Sequence, residues 1–223
     1  MTDFLFIKHL SELDPDLNKL TILEGERQGR RLNMIPSESS APFAVRELLA
    51  SPFNNIYAEG YPLPETRTQS QAEILDYASQ LSAYRRDSDL RYYKGVEYVD
   101  IVEALARRRA AELFAANLLI PDDLWVNVQP LSGAPANNAV YTSLIKPGDT
   151  ILGMDLLHGG HLTHGSPVNR SGMFYKAAHY TVNPQTECLD YDQIADIARE
   201  VKPKIIIAGY SSFPWVPDWE KFK

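Results

Sequence analysis

"TILGMDLLHGGHLTHGSP" occupies residues 150–167. Its opening, "TILGMD", has the short apolar run of a buried strand, and it feeds directly into a loop with Gly159, Gly160 and three histidines, His158, His161 and His164. Working outward, "MFYKAAHYTV" reads as another strand and "DYDQIADIAREV" as a helix with Asp190 and Gln193 in capping positions. "KIIIAG" is a short apolar strand, and Ile205–Ala208 suit the middle of a sheet. Upstream, "LWVNVQP" reads as a strand, and "SGAPANNAVYTSLI" turns through glycine into a helix. Strands alternating with helices predict an α/β fold, its sheet mostly parallel and buried on both faces.

The first half is helical in pattern. Residues 11–30 read as a polar helix, and residues 42–51 as a short one with Ser40 as its cap and Pro42 in the first turn. A proline-rich loop, "PFNNIYAEGYPLPE", follows. Residues 67–86 predict a helix with Ile74, Ala78 and Leu81 on one face and Thr66 and Gln69 at capping-box spacing. Another is expected over about 97–117, with Val99, Val102, Leu105, Ala106 and Leu113 along its stripe.

Composition narrows the function classes. The chain has 223 residues, 44% hydrophobic and 23% charged, as in an ordinary soluble globular protein. No apolar run approaches the ~18 residues of a membrane helix, and the start lacks the apolar core of a signal peptide. Cys188 is the single cysteine, which excludes a disulfide framework and points to the cytoplasm. A net charge of −7, with no like-charge block longer than Arg107–Arg109, argues against a nucleic-acid surface.

Each candidate motif has a functional and an ordinary reading. At Ser132-Gly133-Ala134 a strand gives way to a helix start, where backbone N–H groups and a serine hydroxyl can hold an anion; strand-to-helix turns of this kind are also common. The three histidines lack the converging cysteine or HExxH partners of a zinc site, so no metal is expected. Each can be structural. Gly159 and Gly160 suggest instead that the backbone passes close to a partner, with one ring flat against it. Glu59, between Tyr57 and Tyr61, is either a partly desolvated acid/base group or a surface carboxylate. "RYYKG" at Arg91–Gly95, taken alone, is a packed aromatic pair beside a solvated charge. Ser211 and Ser212 follow the last strand, at the edge where open α/β sheets bind ligands.

Jointly these segments are more specific. "IPSES", "NNIYAEGYP", "RYYKGVEYVDIVE", "NVQPLSGAPANNAVYT", "GDTILGMDLLHGGHLTHGSPVN" and "KPKIIIAGYSSF" occur in the order found in serine hydroxymethyltransferases, and from about Glu24 onward the chain resembles the N-terminal half of that family. The resemblance implies an aspartate-aminotransferase-like (fold type I) pyridoxal-phosphate enzyme: three layers about a mostly parallel sheet, here incomplete, with an N-terminal helical arm. It implies transfer of a one-carbon hydroxymethyl unit between serine and tetrahydrofolate, giving glycine. The cofactor is then pyridoxal 5'-phosphate, with tetrahydrofolate as co-substrate, and a homodimer shares sites across its interface. Residue by residue, His161 corresponds to the imidazole stacked on the cofactor's pyridine ring. Ser132, Gly133 and Ala134 correspond to the phosphate turn, and Ser211 to the serine near the phenolic oxygen. Tyr57 and Glu59 correspond to residues reaching across the dimer, the tyrosine toward the phosphate and the glutamate as acid/base group. Ser37 corresponds to a carboxylate-holding residue. Tyr92, Tyr93, Leu156, Gly160 and Leu162 correspond to lining of the substrate and folate cleft.

The departures from the family pattern are equally readable. No lysine here follows a threonine run and histidine, as the family's Schiff-base lysine does. That implies a chain inactive alone, either a piece of a longer protein or one completed by a second polypeptide. Residues 63–90 stand between Pro62 and Arg91, where the family has only a couple of residues, and carry the helix predicted over 67–86. Such a segment either reshapes recognition of the one-carbon acceptor or elaborates the surface. Ala134 replaces a usual serine, Pro36 and Ser39 a usual alanine and asparagine, and Lys94 a usual glycine. These changes leave open a folate-independent aldolase or transaldolase acting on β-hydroxy amino acids, and a non-catalytic subunit or pseudoenzyme. The expected organisation is an arm with substrate loops over 1–60, the inserted helical segment and Tyr-Tyr loop over 61–95, and the first half of the cofactor-binding α/β domain over 96–223.

Overall fold

A computed structural model describes residues 7–87 and 90–223. In chain order the elements are α1 (Leu10–Leu13), α2 (Pro15–Gly29), α3 (Phe43–Leu49), α4 (Gln71–Ile74), α5 (Tyr77–Asp87), α6 (Glu97–Ala115), α7 (Gly133–Leu144), β1 (Thr150–Met154), α8 (Arg170–Phe174), β2 (Lys176–Tyr180), α9 (Tyr191–Val201) and β3 (Ile205–Ile207). They form two compact units. One is Ala41–Leu144, and the other joins the residues up to Ser40 with Ile145–Lys223.

The second of these units holds a parallel three-stranded sheet in the order β2-β1-β3. Alternation along β1 sends Leu152 and Met154 to one face and Ile151 and Gly153 to the other. Leu152, Met154 and Tyr180 are fully buried with Leu189 and Ile194, so α9 covers the first face. On the opposite face Gly153 makes room for His164, whose carbonyl lies 3.1 Å from His179 Nε2. Residues 162–165 and α8 therefore form the other cover, so this small parallel sheet has helical segments against both faces. Helix α9 starts where its sequence says it should, with the Asp190 carboxylate accepting the Gln193 N–H at 3.1 Å. Strand β2 is shorter than expected: Met173 and Phe174 end α8, which Asn169 caps through the Ser171 N–H. Arm helices α1 and α2 bury no residue, and Asp14 separates them by capping α2.

The unit 41–144 is built on α6. Its buried residues are Ile101, Glu103, Ala104, Ala111 and Ala115; of the predicted stripe, Leu105 packs against this core, whereas Leu113 is 73% exposed. Small side chains win there because the segment 63–90 packs against α6. Ile74 is fully buried with Ile101 and Ala104, and the Tyr84 hydroxyl accepts the Val96 N–H at 3.4 Å. Ile74 and Tyr84 of that segment are thus part of a core, while most of its other described residues are at least partly exposed. The segment is also not one helix. A 3-10 turn at Pro64–Arg67 precedes α4, Ser70 and Glu73 form the capping box, and the Asp76 side chain accepts from Ser79, which starts α5. Thr66 instead donates its hydroxyl to the Leu63 carbonyl at 2.6 Å. Helix α3 begins after Pro42, with no side-chain cap from Ser40.

The predicted strand at 124–130 does not form among the described residues. The segment has no ladder partner and no regular secondary structure. Its polar groups are met by side chains: Asn127 Oδ1 accepts the Gln129 N–H at 2.9 Å, and Gln129 Nε2 donates to the Gly60 carbonyl and to Glu103 at 2.8 and 2.9 Å. A strand needs a partner for its ladder, and here local and side-chain bonds take that place.

Candidate functional site

Within the sheet unit, the loop after β1 reaches the carboxyl edge of the strands. Asp155 accepts the Leu157 N–H at 2.8 Å and turns the chain out of the strand. Gly160 then folds back so tightly that a Cβ there would overlap the Met154 carbonyl oxygen. Part of the close approach that the glycines announced is thus made within the protein itself, Gly160 against Met154 and Gly159 against Phe213. His161 caps the 3-10 turn Leu162–His164. Its Nδ1 accepts the Thr163 N–H at 3.2 Å and lies 2.8 Å from Thr163 Oγ1. His164 Nδ1 accepts the His161 N–H at 3.2 Å. The far end of the turn is clasped by buried Ser171, which accepts the Gly165 N–H at 3.0 Å.

Ser211 lies beyond β3, and its N–H donates to the Gly159 carbonyl at 2.9 Å. The structure thus brings Ser211 beside the glycine-histidine loop. Leu156 and Leu162 are 45% and 42% exposed at the loop surface, and Gly160 is buried. Ser37, also assigned to this unit, is exposed. His164 is buried, and desolvation first, with the neighbouring His161 second, pushes its pKa down to about 4. Burial likewise raises the Tyr180 phenol, which donates to the Ile207 carbonyl at 2.8 Å. Among the described residues no three His, Cys, Asp or Glu side chains gather to hold a metal ion, and no helix is long and apolar enough to cross a membrane.

The unit 41–144 holds the other group of candidates. Gly60 pairs with Arg91 in an isolated antiparallel bridge, at a positive φ of 103° that favours glycine. That bridge joins "YAEGY" to "RYYKG". The Tyr92 N–H donates to the Glu59 carbonyl at 3.2 Å, and the Tyr93 hydroxyl donates to Glu59 Oε2 at 2.8 Å. The Tyr57 and Tyr93 ring centroids are 6.3 Å apart. Glu59 is exposed rather than desolvated among its tyrosines, and Tyr92 is 81% exposed. Partial burial, then the Glu59 carboxylate, raises the Tyr93 phenol.

Arg91 is the residue that local reading misjudged. It is 4% exposed, not a solvated charge. Its Nη1 donates to the Ala58 and Gly60 carbonyls at 2.6 and 2.7 Å, on either side of Glu59. Nε meets Asp100 at 2.7 Å and Nη2 meets Glu103 at 2.8 Å. Burial pulls its pKa down, but the two carboxylates outweigh that and leave it raised. The available signal was the acidic pair three residues apart on the following helix.

At the start of α7, Ser132 and Gly133 are exposed, and a Cβ at Gly133 would meet nothing within 4 Å. The first-turn N–H groups of a helix have no intrahelical acceptor. Open space, a hydroxyl and those donors suit an anion. Ala134 contributes no further side-chain donor.

A parallel sheet with capped loops at its carboxyl edge is the arrangement of an open-sheet α/β protein. The serine hydroxymethyltransferase family model matches in two overlapping segments, residues 10–90 and 87–223. A serine hydroxymethyltransferase of Prochlorococcus marinus (strain MIT 9301) is 46% identical over 217 residues, covering 97% of this chain and 44% of that protein. The enzyme of that name from Teredinibacter turnerae (strain ATCC 39867 / T7901) is 44% identical over 214 residues, covering 96% and 43%. The chain belongs to the serine hydroxymethyltransferase family, and it spans less than half the length of these curated relatives.

Proposed function

We propose that this chain forms the N-terminal part of a fold type I pyridoxal-phosphate enzyme that moves a hydroxymethyl group between serine and tetrahydrofolate and forms glycine. The observation that carries this reading is the glycine-histidine loop at the carboxyl edge of the sheet. There His161 is held by Thr163, and Ser211 is tied to Gly159. The donor set fits the cofactor chemically: the α7 start offers a hydroxyl, N–H groups and open space to a phosphate, and His161 offers a fixed flat ring. When bound, pyridoxal phosphate supplies an electron sink for bond cleavage at the amino acid.

The chain's own residues supply the rest. Ser132, Gly133 and Ala134 hold the phosphate, and Tyr57 reaches toward it from a second copy in a homodimer. His161 lies against the cofactor's ring, and Ser211 orients its phenolic oxygen. Ser37 binds the amino-acid carboxylate. Glu59, hydrogen-bonded by Tyr93, holds or moves a proton near the reacting carbon. Tyr92, Tyr93, Leu156, Gly160 and Leu162 line the substrate and folate cleft. The intact protein, loaded with pyridoxal phosphate, is expected to convert serine to glycine only when tetrahydrofolate is present. Equal cleavage of β-hydroxy amino acids without folate replaces this reading with an aldolase. Failure to bind the cofactor at all replaces it with a non-catalytic subunit.

A further inference from the structure

The turn after Gly160 does more than carry an imidazole to the sheet edge. His161 and His164 cap each other across three residues. His161 Nδ1 accepts from the Thr163 backbone, and His164 Nδ1 accepts from the His161 backbone, each at 3.2 Å. Thr163 Oγ1 adds a second contact to His161 Nδ1 at 2.8 Å. Beneath them everything is packed. Thr163 is fully buried, His164 is 4% exposed, and His164 sits against Gly153 and bonds to the Met154 backbone. His179 Nε2 is 3.1 Å from the His164 carbonyl. The rings of His161 and His164 meet edge-on at 6.0 Å.

We infer that Thr163 and His164 are positioning residues that hold His161 in a single ring orientation with its proton on Nε2. An N–H donor needs a lone pair, so the Thr163 N–H requires Nδ1 of His161 to be unprotonated. The neutral ring then carries its hydrogen on Nε2. Turning the ring over would place a carbon where Thr163 donates, so the orientation is fixed as well as the tautomer. His164 acts one step back by anchoring the His161 backbone N–H from the buried layer. A ring fixed in this way can lie flat on a heteroaromatic cofactor without losing side-chain freedom at the moment of binding. The inference rests on the cofactor reading above and names what enforces it.

The test uses the intact protein labelled with ¹⁵N-histidine. Long-range ¹H–¹⁵N correlation is expected to show His161 as the Nε2–H tautomer both before and after pyridoxal phosphate is added. His164→Asn keeps an acceptor near the Nδ1 position and is expected to bind cofactor as the wild type does. His164→Leu removes that acceptor and is expected to weaken cofactor binding by on the order of tenfold. Thr163→Val keeps the shape and backbone donor but lacks the hydroxyl, and is expected to shift the cofactor's visible absorbance band. Wild-type protein that takes up no pyridoxal phosphate overturns the cofactor reading and the inference with it. Wild-type protein that binds cofactor but shows His161 as Nδ1–H overturns the inference alone. So does binding with unchanged affinity and spectrum in both His164→Leu and Thr163→Val.

Discussion

Replacing Arg91 with methionine keeps most of the side chain's length and removes its charge and its fork of donors. Four partners lose their bonds: the Ala58 and Gly60 carbonyls and the Asp100 and Glu103 carboxylates. The side chains of Arg91, Asp100 and Glu103 are only 1%, 15% and 9% exposed, so water cannot replace the guanidinium cheaply. Breaking a buried ion pair from one side costs about 3–5 kcal/mol, and that is the expected loss here. Urea unfolding of the intact protein, followed by circular dichroism, measures it. The pH dependence has a definite sign. Burial already raises Asp100, against the pull of Arg91. Without Arg91 the folded state favours the protonated acid still more strongly. A raised carboxylate contributes stability at low pH that is lost as pH rises, so the deficit should shrink as the solution is acidified. Adding Asp100→Asn and Glu103→Gln to Arg91→Met removes the orphaned charges and should recover much of the loss. A single-variant loss below about 1 kcal/mol, the scale of a surface ion pair, refutes the reasoning.

Gly160→Ala should cost about 1–3 kcal/mol, because the added methyl has no room against the Met154 carbonyl; unchanged thermal stability would show that the loop moves freely. His164 supplies a pH signature. Its pKa falls from 6.5 to about 4 on folding, so its share of stability is complete above pH 6.5 and is lost as pH falls through 4. The difference amounts to roughly 3 kcal/mol. Comparing unfolding of the wild type and His164→Asn across that range isolates the contribution, and parallel curves count against it. Ser70→Ala removes the hydroxyl that accepts the Glu73 N–H and donates to the Glu73 carboxylate, leaving the residue-70 N–H in place, and should destabilise α4 by about 1 kcal/mol, read as faster amide exchange there.

Much of the sheet unit was legible because its signals are local. Ile205–Ile207, the apolar start of β1 and the Asp190 cap each speak for themselves within a few residues. The segment 124–130 read as a strand yet stays unladdered, since pairing depends on residues distant in sequence. Residues 67–86 carry a helical pattern, yet Asp76 competes by binding Ser79 and restarts the helix. At the candidate site, the identity of the loop was readable from its glycines and histidines, but their reason was not. Gly160 answers to Met154, a contact set by the fold-back itself. Arg91 was opaque because its burial is assembled from residues 58, 60, 100 and 103, none of them informative alone.

The bridge between Gly60 and Arg91 has a consequence for how such chains change over time. It brings the two ends of the segment 63–90 side by side, so that stretch hangs from a clasp. Residues can be gained or lost in its exposed turns at small closure cost, since a loop's entropy varies only slowly with its length, while Ile74 and Tyr84 keep it packed on α6. The glutamate and tyrosine on either side of the clasp keep their register while the pendant grows or shrinks. The fold therefore accommodates new sequence right beside the Glu59–Tyr93 pair.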